Sequence, residues 1–98
     1  MKTALIYSPK YLEHETGWGH PERPERLKAI TEAFEGAGLW NTESTPVISP
    51  RPANAKDLEL VHSKEHIQLV KRLSSSEAPL DGDTPTRKKT YEIALLSA

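Results

Sequence analysis

Apolar and polar positions run along this chain in short blocks, and each block predicts a different element. Ala4-Leu5-Ile6-Tyr7 is a continuous apolar run closed by Ser8-Pro9, the pattern of a strand buried on both faces in a parallel sheet. From Tyr11 to Arg23 no period holds. Within that stretch Gly17 and Gly19 bracket Trp18, and Pro21 and Pro24 punctuate a charged run. Glycine frees the backbone and proline restricts it, so this is a loop of built shape that delivers the chain into a helix. Pro24 suits the first helical position. Leu27, Ile30 and Phe34 then recur at helical spacing, with Lys28, Glu32 and Glu35 turned outward, and Gly36 and Gly38 supply the stop. Leu39 and Trp40 are expected to fold back onto that apolar stripe.

Residues 41–54 are rich in Thr, Ser, Asn and Pro, and only Pro46-Val47-Ile48 reads as a strand, short and edge-like beside its prolines. Two helical pieces follow. Asn54 can cap the first, through Leu58 and Val61; Ser63 can cap the second, with Ile67, Val70 and Leu73 as its buried stripe and Ser74-Ser75-Ser76 as its end. A polar loop runs from Glu77 to Lys89. The segment Thr90–Ala98 has Tyr91, Ala94, Leu95 and Ala98 at helical spacing, with no C-cap glycine, basic last turn or breaker. The pattern therefore ends in mid-helix.

One buried strand and one edge-like strand cannot complete a parallel sheet, because each strand's backbone groups need paired neighbours. The expectation is an α/β chain with an incomplete sheet, the N-terminal part of a larger domain. The competing expectation is a small helical domain in which residues 3–7 form an edge strand or pair between two copies.

Composition narrows this picture. The chain has 98 residues, 36% hydrophobic, with eight prolines, so it is at most one domain with a modest apolar supply. Thirteen basic and 14 acidic residues are interspersed for a net charge of −1, which gives no electrostatic case for nucleic acid or an anionic membrane surface. With no cysteine there is no disulfide framework or thiolate metal site. The N-terminal apolar run is too short for a signal peptide or a membrane span. A soluble, cytoplasmic protein is the default expectation.

Candidate chemistry centres on the four histidines, the side chains that titrate nearest neutrality. His14 and His20 share the first loop with Glu13, Glu15 and Glu22, a donor set suited to zinc, although the favoured reading is the ordinary polar content of a loop. His20 precedes Pro21 and is biased to an extended backbone, which suits a rigid wall. His62-Ser63-Lys64-Glu65-His66 matches the H-x-x-E-H string of inverted zinc peptidases. Ser63, however, is better placed as an N-cap, which leaves His62 outside the helix and spoils the two-histidine face. Asp81 and Asp83 flank Gly82 before Pro85. A rigid loop carboxylate at Asp83 suits hydrogen bonds from a substrate's amide N–H groups, or simply makes a turn. Arg87, Lys88, Lys89 and Lys64 read as solvent-facing.

Taken in order, these pieces resemble the N-terminal part of the histone deacetylase superfamily, the group that includes acetoin-utilisation proteins and acetylpolyamine amidohydrolases. The resemblance rests on Tyr7-Ser8-Pro9 after the first strand, Gly19-His20-Pro21-Glu22-Arg23-Pro24-Glu25-Arg26-Leu27, Leu60 to Ile67, Asp81-Gly82-Asp83-Thr84-Pro85 and Thr90 to Ala98. It implies the three-layer α/β/α arginase/deacetylase-type fold around a parallel sheet, with a catalytic zinc that polarises the carbonyl of an acetyl amide on lysine or a polyamine. The family's metal ligands, histidine pair and tyrosine match no position in this chain, so zinc is expected for the full-length family and neither catalytic nor metal-binding residues are expected here. Three places carry over. Asp83 matches the rim aspartate that accepts hydrogen bonds from substrate backbone, with capping of the last helix as its structural alternative. Arg26 matches an arginine of the internal cavity through which acetate leaves, with tying the loop to the helix as its alternative. His20 and Pro21 belong to the loop that walls the substrate tunnel.

Two further readings stand beside the first, which is an inactive segment of a deacetylase. One is a free-standing, non-catalytic module that self-associates through exposed apolar faces. The other is the metallopeptidase through His62 and His66.

Overall fold

A computed structural model describes residues 1–98. The elements follow the order β1 (Leu5–Ile6), a 3-10 helix (Pro9–Glu13), α1 (Pro24–Gly36), β2 (Val47–Ile48), α2 (Ala55–Leu58), α3 (Lys64–Ser76) and α4 (Thr90–Ser97). This is an α/β arrangement with a two-stranded parallel sheet, in which Leu5 pairs with Val47 and Ile6 with Ile48.

Local signals account for the helix boundaries. Pro24 opens α1, where its missing N–H costs nothing. Asn54 and Asp57 form a reciprocal capping box on α2, the Asn54 side chain accepting from the Asp57 N–H at 2.9 Å. Ser63 accepts from the His66 N–H at 3.1 Å and caps α3, so His62 lies outside the helix as its spacing predicts. One boundary differs from expectation. The first loop begins with a 3-10 turn over Pro9–Glu13, capped by the Ser8 hydroxyl accepting from the Lys10 N–H. The serine run ends α3 as expected: the helix runs through Ser76 and closes on Glu77, which takes a left-handed backbone with φ 56°.

The strand expected to be buried on both faces is not. Leu5 is half-buried and Ile6 is 56% exposed, beside Ile48 at 47%. Thr3, Leu5 and Tyr7 donate their N–H groups to the carbonyls of Ser44, Pro46 and Ile48. By strand alternation Ala4 and Ile6 turn theirs to the opposite edge, which no other strand covers. On the outer side of β2, the Val47 N–H is taken by the Asn41 side chain at 3.2 Å, which makes β2 the edge its prolines predicted.

The covered face of β1 meets α1, where Tyr7, Leu27, Phe34 and Trp40 line one apolar groove. Trp40 folds back as expected and packs edge-on to Tyr7 with centroids 5.4 Å apart, while Leu39 stays 42% exposed. On the other side α3 packs on α4, and α4 on the 3-10 helix. Ile67 and Ile93 are the only buried apolar residues, and Ser74 and Thr86 are buried more deeply than either. The molecule is a slab 41 × 34 × 16 Å with a radius of gyration of 15.4 Å, against about 13 Å for a compact chain of this length. No helix is long and apolar enough to cross a membrane.

Candidate functional site

The first loop is shaped by its glycines. Gly17 and Gly19 both hold positive φ, 102° and 79°, a region that side chains rarely enter. The turn they make leaves Trp18 fully exposed and aims the chain into His20-Pro21. Buried Thr16 anchors it by donating its hydroxyl to the Glu22 carbonyl.

His20 then reaches across to a residue 63 positions away. Its Nε2 lies 3.1 Å from the Asp83 carbonyl oxygen and 3.6 Å from Asp83 Oδ1. The carboxylate of Asp83 itself is 95% exposed. Asp83 sits in a tight turn closed by the Asp81–Thr84 bridge and by the Leu80 N–H on the Thr84 carbonyl at 3.0 Å. Gly82 needs no left-handed backbone there. The Asp81 carboxylate shapes the turn instead, accepting the Asp83 N–H at 2.8 Å. That bond, and after it one from the Thr84 hydroxyl, holds the Asp81 carboxyl below its ordinary value. Asp83 does not cap α4, whose N-cap is Lys89 without a side-chain bond.

The turn is carried by two buried hydroxyls. Thr86 donates to the carbonyls of Ala78 at 2.7 Å and Leu73 at 3.0 Å. Ser74 donates to the Arg87 carbonyl at 2.6 Å and accepts the Tyr91 N–H at 3.0 Å. One serine thus joins the end of α3, the loop and the start of α4. Sequence reasoning missed both residues. A Ser or Thr among charged neighbours carries no local sign that it will be buried.

Arg26 lies in a second place, the wall of a cavity of about 320 Å³ between α1, the 3-10 helix and α4, with Tyr11, His14, Glu22, Arg23 and Ile93. Neither His20 nor Asp83 lines it. The Arg26 guanidinium makes no hydrogen bond to the first loop, so the tie from loop to helix is the Arg26 N–H on the Arg23 carbonyl at 3.1 Å. Burial pushes the Tyr11 phenol above its ordinary value, and its hydroxyl donates to the Leu96 carbonyl at 3.4 Å.

The carboxylates and histidines of the first loop do not converge. Glu13 binds Lys89 at 2.9 Å, His14 faces Glu22 at 4.0 Å, and His20 turns to Asp83. Lys89, expected to face solvent alone, is therefore a tie between the 3-10 helix and α4, and Glu13 raises its ammonium pKa. The His62 and His66 ring centroids lie 5.1 Å apart with the planes tilted by 31°. No three His, Asp or Glu side chains gather in a metal-binding group, so the residues of this chain do not fit a zinc ion.

The sequence profile of the histone deacetylase domain matches residues 20–98, a span that includes His20, Arg26 and the Asp83 turn. The chain belongs to the histone deacetylase family. A probable deacetylase of Archaeoglobus fulgidus is 30% identical over the whole chain, which covers 27% of that relative. Histone deacetylase 5 of Arabidopsis thaliana is 37% identical over 78 residues, 78% of this chain and 12% of that protein. Among solved structures, the HDA15 HD domain superposes with a TM-score of 0.86 at 27% identity, over 99% of this chain and 29% of its own. The α/β arrangement is thus that of a histone deacetylase domain across the part it spans. That part is less than a third of each of these deacetylase relatives.

Proposed function

We propose that residues 1–98 form the N-terminal, rim-building part of a zinc-dependent amidohydrolase domain that hydrolyses acetyl amides of lysine or polyamines, and that this part alone is inactive. The observation that carries the reading is the His20–Asp83 contact. It brings two positions of the resemblance together from 63 residues apart and leaves the Asp83 carboxylate free in solvent. In this reading the metal is held by polypeptide outside these residues, and the exposed Ile6 and Ile48 face is where that polypeptide packs.

The chain's own contribution is binding and orientation. Asp83 accepts N–H hydrogen bonds from the peptide that carries the acetyl-lysine, or faces the ammonium groups of an acetylated polyamine. His20 and Pro21 stand on the same loop as one side of the tunnel. Arg26, with a charge that persists at any working pH, offers its guanidinium to the carboxylate of released acetate in its cavity.

The test is steady-state kinetics of the deacetylase domain that contains this segment. A charge-assisted hydrogen bond is worth about 1.5–3 kcal/mol, so Asp83→Asn lowers kcat/KM on an acetyl-lysine peptide by roughly tenfold to a hundredfold, with the metal retained. Unchanged kinetics would remove Asp83 from substrate binding.

A further inference from the structure

The contact between the two loops has a direction set by its donors. His20 Nδ1 lies 3.1 Å from the Glu22 N–H and 3.3 Å from the Glu22 carbonyl oxygen; the nearer partner is the N–H, which can only donate, and this favours Nδ1 as an acceptor without a proton. The single proton of the neutral ring is then on Nε2, 3.1 Å from the Asp83 carbonyl oxygen. The nearer carboxylate oxygen of Asp83, at 3.6 Å, is beyond hydrogen-bonding distance. Backbone, not carboxylate, takes the imidazole proton.

This division has a consequence for residue 83. Its N–H is held by the Asp81 carboxylate at 2.8 Å and its carbonyl by His20, so its backbone is pinned from both sides. Its carboxylate, 95% exposed, is spent on neither, while the His20 side chain is only 18% exposed. The imidazole is an internal strut between loops and offers substrate little of its surface.

We propose that His20 is the positioning residue for Asp83: as the neutral Nε2–H tautomer it holds the Asp83 backbone and leaves the carboxylate for the substrate. The inference rests on the reading of Asp83 as the substrate's acceptor, and it assigns His20 a role exerted through Asp83 rather than through contact with substrate. The groups facing the ring are Glu22 from its own loop and Asp83 from the turn.

Two measurements test it. In the 98-residue chain, imidazole 15N NMR of His20 gives an unprotonated Nδ1 and a protonated Nε2, with a coupling to Asp83 that vanishes in His20→Ala. The opposite tautomer overturns the proposal, whatever the variants do. In the deacetylase domain containing the segment, His20→Asn keeps an acceptor near Nδ1 and loses the distal donor, whereas His20→Gln keeps a donor near Nε2. Losing one neutral hydrogen bond predicts a KM raised about threefold to tenfold in His20→Asn with kcat within about twofold, and recovery in His20→Gln. In an Asp83→Asn background the His20→Asn change adds nothing further. If Asp83→Asn weakens kcat/KM while His20→Asn leaves KM unchanged, or Gln and Asn behave alike, the positioning role fails and the Asp83 reading stands. If Asp83→Asn itself has no effect, the Asp83 reading fails, and with it the inference built on it.

Discussion

Ser74→Ala removes one oxygen and disconnects three elements. Ser74 is 1% exposed, and its hydroxyl donates to the Arg87 carbonyl at 2.6 Å while accepting the Tyr91 N–H at 3.0 Å. The two losses are unequal. The Arg87 carbonyl keeps the Thr90 N–H at 2.9 Å, so only a second bond disappears, worth about 0.5–1.5 kcal/mol. The Tyr91 N–H lies in the first turn of α4, where the helix supplies no acceptor, and stranding it costs about 1–3 kcal/mol. Together these predict a destabilisation of about 2–4 kcal/mol, or a Tm lower by roughly 10–20 °C for a chain of this size. Urea denaturation followed by circular dichroism measures it, with exposed Ser75→Ala as a control expected within about 0.5 kcal/mol of the parent. A loss below about 1 kcal/mol in Ser74→Ala would show that the hydroxyl is not the joint between α3, the Asp83 loop and α4.

Two other predictions address the same region. Glu77 closes α3 with φ 56°, a conformation in which a side chain is strained and glycine is not. Glu77→Gly is therefore expected to raise the urea midpoint by the equivalent of about 0.5–1 kcal/mol, and a lowered midpoint contradicts that account of the cap. Asp81 carries a carboxyl pKa held below 3.8 by the Asp83 N–H. Its contribution to the turn is present above the ordinary carboxylate value and is lost as pH falls through the lower folded value. The Asp83 amide proton shift, followed by NMR, should therefore titrate below pH 3.8, and a midpoint at or above that value removes Asp81 as the turn's organiser.

Much of the local structure was legible without coordinates because it is decided within one turn of helix. Pro24 at the start of α1, the Asn54 cap, the Ser63 cap that excludes His62 and the Gly17-to-Gly19 bend all act over four residues or fewer. The pattern of apolar positions likewise located α1, α3 and α4, since periodicity is a property of neighbouring residues. The family, too, was readable from short ordered motifs.

What the tertiary structure decided is which distant groups meet. The partnership of His20 with Asp83 spans 63 residues and that of Lys89 with Glu13 spans 76, and neither leaves a mark on spacing. The first-loop carboxylates and histidines looked like one cluster because they are close in sequence, yet the fold sends Glu13 to Lys89 and His20 to Asp83 and leaves His14 facing Glu22. Ser74 and Thr86 read as helix end and loop, and became the most buried side chains, since a hydroxyl can be buried once backbone groups satisfy it. Ala4 to Tyr7 had the composition of a doubly covered strand, but burial depends on what lies against it, and here Ile6 is left 56% exposed. Residue type and spacing determine what an element is. Its neighbours, chosen by the whole chain, determine what it does.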